Sequence, residues 1–198
     1  VTDTVIIDSG GANLASLLFA FERLGARARV CSREAEILAA DRVILPGVGA
    51  AADAMNRLRH SGVATVLPRL KQPVLGICLG MQLLFKHSEE GSTECLGIVP
   101  EQVRRLQAAP GLPVPHMGWN QLTRVKEDPI LEGIGPEEYV YFVHSYAAPV
   151  SAATLATTDY GVVLSAVVRQ DNFWGAQFHP ERSAATGAKL LANFLRLK

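Results

Sequence analysis

Apolar positions in the first half of the chain form two alternating patterns, short unbroken runs and longer stretches with helical spacing. Val5-Ile6-Ile7-Asp8 is a run, and it predicts a buried strand. Leu14, Leu17, Leu18, Phe21 and Leu24 then recur every three or four residues, with Asn13 placed to cap the helix and Gly25 to close it. The alternation continues with a strand over 27–31 and a short helical or looped stretch around Ile37 and Leu38. A strand over 42–45 follows and runs into Pro46-Gly47-Val48-Gly49, and then comes a helix over 51–59. Pro73-Val74-Leu75 is the next run, and it passes through Gly76-Ile77-Cys78-Leu79-Gly80 into a helical stretch over 81–85. Such spacing indicates a parallel sheet covered on both faces, with ligands gathering beyond the carboxyl ends of the strands. Both Pro46-Gly47-Val48-Gly49 and Cys78 lie at such ends.

Beyond about residue 96 the texture changes to short strand-like runs over 98–99, 102–106, 121–125, 139–143, 154–157, 162–168 and 173–178, broken by Pro and Gly. A last helix is expected over 183–197, with Leu190, Leu191, Phe194, Leu195 and Leu197 forming a wide apolar face. The expected fold class is therefore α/β. A single domain over 1–198 carries a central, mostly parallel sheet flanked by helices and a β-rich C-terminal half.

With 198 residues, 48% of them hydrophobic and 19% charged, the chain is long enough to bury one proper core. Lysines plus arginines number 19, as do aspartates plus glutamates, and no basic block exceeds Arg104-Arg105, so the electrostatic footprint of a nucleic-acid binder is missing. The acidic start and the lack of a long apolar run argue against a signal peptide or membrane span, which makes the cytoplasm the expected location. Cys31, Cys78 and Cys95 are an odd set without C-x-x-C spacing, so neither a disulfide framework nor a zinc site is expected. No metal or cofactor is called for.

Cys78 stands apart from the other two cysteines because glycines flank it in a strand-to-helix elbow, where a nucleophile can be held in strained geometry. Cys31 and Cys95 read as small buried hydrophobes. Far downstream, Phe178-His179-Pro180-Glu181 supplies a base and a carboxylate; in an extended segment residues i and i+2 face the same side, so Glu181 can orient His179. His144 is a weaker competitor without an acid two residues away, and His60, His87 and His116 read as surface or structural. For the oxyanion formed when a thiolate attacks a carbonyl, the candidate donors are the N–H groups of Leu79 and of Val48 or Gly49. Gly47 and Gly49 can equally be turn residues.

Taken together, Gly76-Ile77-Cys78-Leu79-Gly80-Met81-Gln82 and Phe178-His179-Pro180-Glu181 resemble the class I (triad) glutamine amidotransferases. Within that family three stretches are similar to the branch of glutaminase subunits of imidazole glycerol phosphate synthase: Pro46-Gly47-Val48-Gly49, Pro115-His116-Met117-Gly118-Trp119-Asn120 and Tyr141-Phe142-Val143-His144-Ser145-Tyr146. The resemblance implies that Cys78 is the nucleophile, His179 the base and acid, and Glu181 its partner. It further implies that Gly47, Gly49, Gln82, Ser145 and Tyr146 hold L-glutamine. His116, Met117, Trp119, Asn120 and Arg182 would face a cyclase subunit that receives the ammonia. The chain departs from the family pattern at Gly10-Gly11-Ala12-Asn13 and at Arg182. Two rivals remain: the glutaminase of another ammonia-channelling synthase, such as pyridoxal phosphate synthase, and a non-catalytic binding module of the same fold.

Overall fold

The computed structural model describes residues 3–8 and 14–197. The N-terminal half runs β1 (Thr4–Ile7), α1 (Leu14–Arg23), β2 (Ala28–Cys31), α2 (Glu34–Ala39), β3 (Arg42–Gly47), α3 (Ala51–His60), α4 (Val63–Val66) and β4 (Val74–Cys78). Every residue of β1, β3 and β4 is buried, as strands covered on both faces must be. Helix α1 ends at the expected glycine. Gly25 takes φ +69, and the Gly25 and Ala26 amides donate to the carbonyls of Glu22 and Phe21. The cap expected at Asn13 and the departure at 10–13 lie outside the described residues.

The remaining elements are α5 (Leu79–Leu83), β5 (Phe85–Ser88), β6 (Thr93–Glu94), β7 (Val99–Arg105), β8 (His116–Gln121), β9 (Thr123–Arg124), β10 (Tyr139–His144), β11 (Tyr146–Ala147), β12 (Thr154–Asp159), β13 (Val163–Gln170), β14 (Phe173–Ala176) and α6 (Ala184–Phe194). The main sheet has the order β2-β1-β3-β4-β14-β13-β12-β9. Pairings from β2 through β14 are parallel and those from β14 to β9 antiparallel, so the sheet changes character beside β4. A ribbon of β8 and β10 and a four-stranded sheet, β11-β7-β5-β6, pack beside it.

The register places the site. Gly47 pairs with Cys78 on one side of β4, and Ala176 pairs with Ile77 on the other. The loop after β3 and the segment after β14 therefore leave the sheet at the same edge as Cys78.

Two local expectations change. The helix after Cys78 is one turn, Leu79–Leu83, and does not reach residue 85. Amides of Leu96, Gly97, Ile98 and Val99 donate to the carbonyls of Leu83, Phe85 and Leu84, so a sheet-like ladder takes over where the helix was to continue. The strand expected over 121–125 shrinks to the two residues of β9, while the longer strand starts at His116, pinned by pairing with β10.

Candidate active site

Cys78 adopts φ 54 and ψ −113, a conformation that costs a non-glycine residue about 1–3 kcal/mol and survives only where its surroundings enforce it. Those surroundings are backbone packed against backbone. A Cβ on Gly80 would lie 1.8 Å from the Leu45 carbonyl oxygen, one on Gly76 would lie 2.7 Å from the Gly80 oxygen, and one on Gly47 would lie 2.8 Å from the Gly80 nitrogen. The glycines thus let β3, β4 and α5 meet, and the elbow cannot relax without separating them.

His179 and Glu181 do meet, by a different route from the one expected. Residues 180–182 form a single tight turn, not an extended strand, and it folds the carboxylate back under the ring. His179 Nδ1 donates to Glu181 Oε1 at 2.8 Å. Strand β10 anchors the ring's backbone: His179 N–H donates to the Tyr141 carbonyl at 3.0 Å, and Ser183 Oγ bridges the His179 carbonyl and the Tyr141 amide. Gly187 permits α6 to start against this turn, since a Cβ there would stand 2.0 Å from the Pro180 oxygen.

The ring of His179 lines the same cleft as the Cys78 thiol. Burial disfavours the imidazolium, but the neighbouring Cys78 sulfur and the hydrogen-bonded Glu181 carboxylate outweigh it and raise the ring's pKa to about 10. The arrangement is therefore an imidazolium between sulfur and carboxylate at neutral pH. Such a ring has a proton to give to a leaving group.

His144 lies on the same cleft and is excluded as the base by its own bonds. Its Nδ1 faces the Tyr146 carbonyl at 2.8 Å and must donate; its Nε2 then accepts from His116 Nδ1 at 3.0 Å. His116 Nε2 in turn accepts from Asn120 Nδ2 at 3.2 Å, which also donates to the Asp159 carbonyl. Every donor meets an acceptor with both rings neutral. Burial holds both imidazoles at about 4.

A cleft of about 330 Å³ brings together Cys78, His179, Leu79, Val48, Gly49, Gln82, Ser145 and Tyr146. Gly47 does not line this cleft; it packs against the elbow beneath it. Of the residues expected to face a partner, Met117 (61%) and Trp119 (53%) are exposed on the ribbon and Arg182 is exposed beside the triad. His116 is 3% exposed and stacks on Tyr160 and Phe142, which corrects its assignment to an outer face. Asn120 is half-buried with its amide turned inward.

Three residues escaped the sequence reading. Glu90 lines the cleft from the turn before β6 and accepts the Ala51 amide at 2.8 Å; nothing local to Ser88-Glu89-Glu90-Gly91 announces this. Gln177 is buried against Cys78, and the residues linking it to His179 did carry a signal, since i and i+2 leave a strand on the same side. Tyr139, 55% exposed, extends the apolar surface of the ribbon. Among the other thiols, Cys31 is buried and burial pushes Cys95 up to about 11. No helix among the described residues is long and apolar enough to cross a membrane.

The family model for glutamine amidotransferase class-I matches residues 5–197. Imidazole glycerol phosphate synthase subunit HisH of Xanthomonas euvesicatoria pv. vesicatoria is 55% identical over 197 residues, covering 100% of this chain and 98% of the relative. The HisH subunit of Xylella fastidiosa strain Temecula1 is 51% identical with the same coverage. In fold, the chain resembles a crystal structure of a glutamine amidotransferase at TM-score 0.75 and 20% identity, covering 97% of this chain and 96% of the other. It also resembles PurLQS from Thermotoga maritima at TM-score 0.72 and 18% identity, covering 98% and 97%. The chain belongs to the class I glutamine amidotransferase family and, within it, to the group of HisH subunits of imidazole glycerol phosphate synthase.

Proposed function

We propose that this chain hydrolyses L-glutamine to glutamate and ammonia and delivers the ammonia to a cyclase subunit that forms imidazole glycerol phosphate in histidine biosynthesis. The observation that carries the chemistry is the placement of His179 between the Cys78 sulfur and the Glu181 carboxylate, with the ring held protonated. In this reading the Cys78 thiolate attacks the side-chain amide carbon. Leu79 N–H and an N–H from Val48 or Gly49 receive the oxyanion. The His179 proton passes to the departing nitrogen as the carbon–nitrogen bond breaks, leaving a γ-glutamyl thioester. The now neutral ring takes a proton from water, which attacks the thioester and regenerates the thiolate.

Substrate polarity matches the cleft. Glu90 supplies a carboxylate for the α-ammonium group, and Ser145 and Tyr146 border the opposite rim. The Tyr146 carbonyl already accepts from both His144 and Gln82, so any contact from Tyr146 to glutamine uses another of its groups. Arg182 and the exposed ribbon residues Met117, Trp119 and Tyr139 form the docking face for the cyclase. Val143, whose strand pairs with the one carrying Met117, lines the cleft and joins the two. Docking also offers control, because Gly49 at φ +87 lets the 46–49 loop reorient its amides.

Glutamate release by the purified chain, with and without the cyclase and its ligand, tests the reading. Turnover that requires Cys78 and rises with the cyclase supports it. Hydrolysis persisting in Cys78→Ala would end it, and equal rates with and without the cyclase would remove the gating step alone. The high identity to HisH subunits favours this synthase over the glutaminase of pyridoxal phosphate synthase.

A further inference from the structure

Behind the nucleophile runs a buried chain of amides whose polarity is dictated from one end. The Tyr146 carbonyl can only accept, so Gln82 must present its NH₂ group to it, at 2.8 Å. The second hydrogen of that group goes to Gln177 Oε1 at 3.0 Å. Gln177 is thereby compelled to turn its own NH₂ group the other way, where it stands 3.9 Å from the Cys78 sulfur. Gln177 is 1% exposed and Gln82 4%, so water does not compete for these bonds. His144, bonded to the same Tyr146 carbonyl, braces the far end of the chain.

The sulfur therefore sits between opposed neighbours. The Val143 carbonyl, at 3.8 Å, is an acceptor and favours the neutral thiol. The Gln177 amide is a donor and favours the thiolate. With Gln177 removed, only His179 would counter the carbonyl.

We infer that Gln177 is a positioning residue for the nucleophile, an amide locked in one orientation by Gln82 so that its N–H holds the Cys78 sulfur as a thiolate aimed into the cleft. The inference rests on Cys78 being the nucleophile and adds a donor that the triad does not contain. A charge-assisted hydrogen bond lost at a buried sulfur corresponds to a loss of about tenfold or more.

The test is iodoacetamide alkylation of Cys78 in the full chain, read by peptide mass at pH 7 and pH 10.5 for wild type and Gln177→Met, which keeps the length and removes the donor. Expected is alkylation about tenfold slower at pH 7 and convergence of the two rates at pH 10.5, where alkali replaces the help of the donor. Glutaminase kcat should fall about tenfold while KM for glutamine changes less than twofold. Equal alkylation at both pH values, or slowing by the same factor at both, would overturn the inference, the second because it reports altered access. If Gln177→Met does not fold, Gln177→Glu carries the test: its carboxylate must slow alkylation at pH 7, and an unchanged rate overturns the proposal. Alkylation needs no glutamine, so it decides this inference separately from wild-type turnover, which decides the functional reading.

Discussion

His179 and His144 line the same cleft, with His116 bonded behind His144, yet their surroundings drive the rings in opposite directions. Around His179 stand a sulfur and a carboxylate, both able to carry negative charge, and the ring stays cationic up to about pH 10 despite its burial. Around His144 and His116 stand a backbone carbonyl, an amide and two aromatic rings; burial, helped at His144 by the nearby positive charge of His179, keeps both rings uncharged down to about pH 4. The partner's charge, more than depth in the protein, decides which imidazole does proton chemistry. A buried histidine beside a carboxylate is a candidate acid and base; one between neutral groups is a brace.

The sharpest challenge to this contrast is to exchange each ring for a side chain that cannot titrate. His179→Asn should lower glutaminase turnover by about 10³–10⁴-fold, as loss of the base in a nucleophile triad does. An equal loss on altering His144, with His179 intact, would reverse the assignment. Glu181→Gln keeps the shape and removes the charge that helps hold His179 protonated. Turnover should fall by about a hundredfold, and the basic limb of the pH–rate profile should move to lower pH. An unmoved limb would show that the carboxylate does not set the ring's charge.

His144→Phe leaves the Tyr146 carbonyl with one bond fewer and the His116 Nδ1–H without an acceptor. A stability loss of about 1–3 kcal/mol per orphaned group is expected in urea unfolding, with turnover reduced only about tenfold. The smallest effect is the pH dependence of stability. The unfolded chain protonates its histidines near 6.5, whereas the folded His116 and His144 refuse protons down to about 4. Their contribution is thus complete above about 6.5 and is lost as pH falls toward 4. His179 acts in the reverse sense: its contribution is complete below about 6.5 and is lost as pH rises through about 10. Replacing His144 with Gln should make the acid-side slope shallower by about one proton; an unchanged slope would show that the ring is protonated in the folded state.

Much of this site was legible before any coordinates. Gly76, Cys78 and Gly80 announce an elbow because only backbone can pass where β3, β4 and α5 converge, and the structure finds each missing Cβ replaced by a neighbouring backbone or side-chain atom. His179 and Glu181 announce a pair by nearness, although the tight turn that unites them differs from the extended geometry expected. His116 was misplaced because its strand alternates: Met117 and Trp119 point outward, His116 inward, and a short polar-aromatic stretch does not reveal which face is the core. Glu90 and Gln177 were missed because their roles arise only when distant segments share a wall.

The chain's own order of residues determined the strand–helix alternation, the strained elbow and the thiol, imidazole and carboxylate proposed to react, because these depend on local sterics and on neighbours one to four positions away. Which histidine carries charge, which glutamine faces the sulfur and which acid borders the cleft were decided only by tertiary structure. Burial, partner charge and hydrogen-bond polarity belong to the space around a side chain, and that space is assembled from β4, the consecutive strands β10 and β11, and β14, three segments separated along the chain.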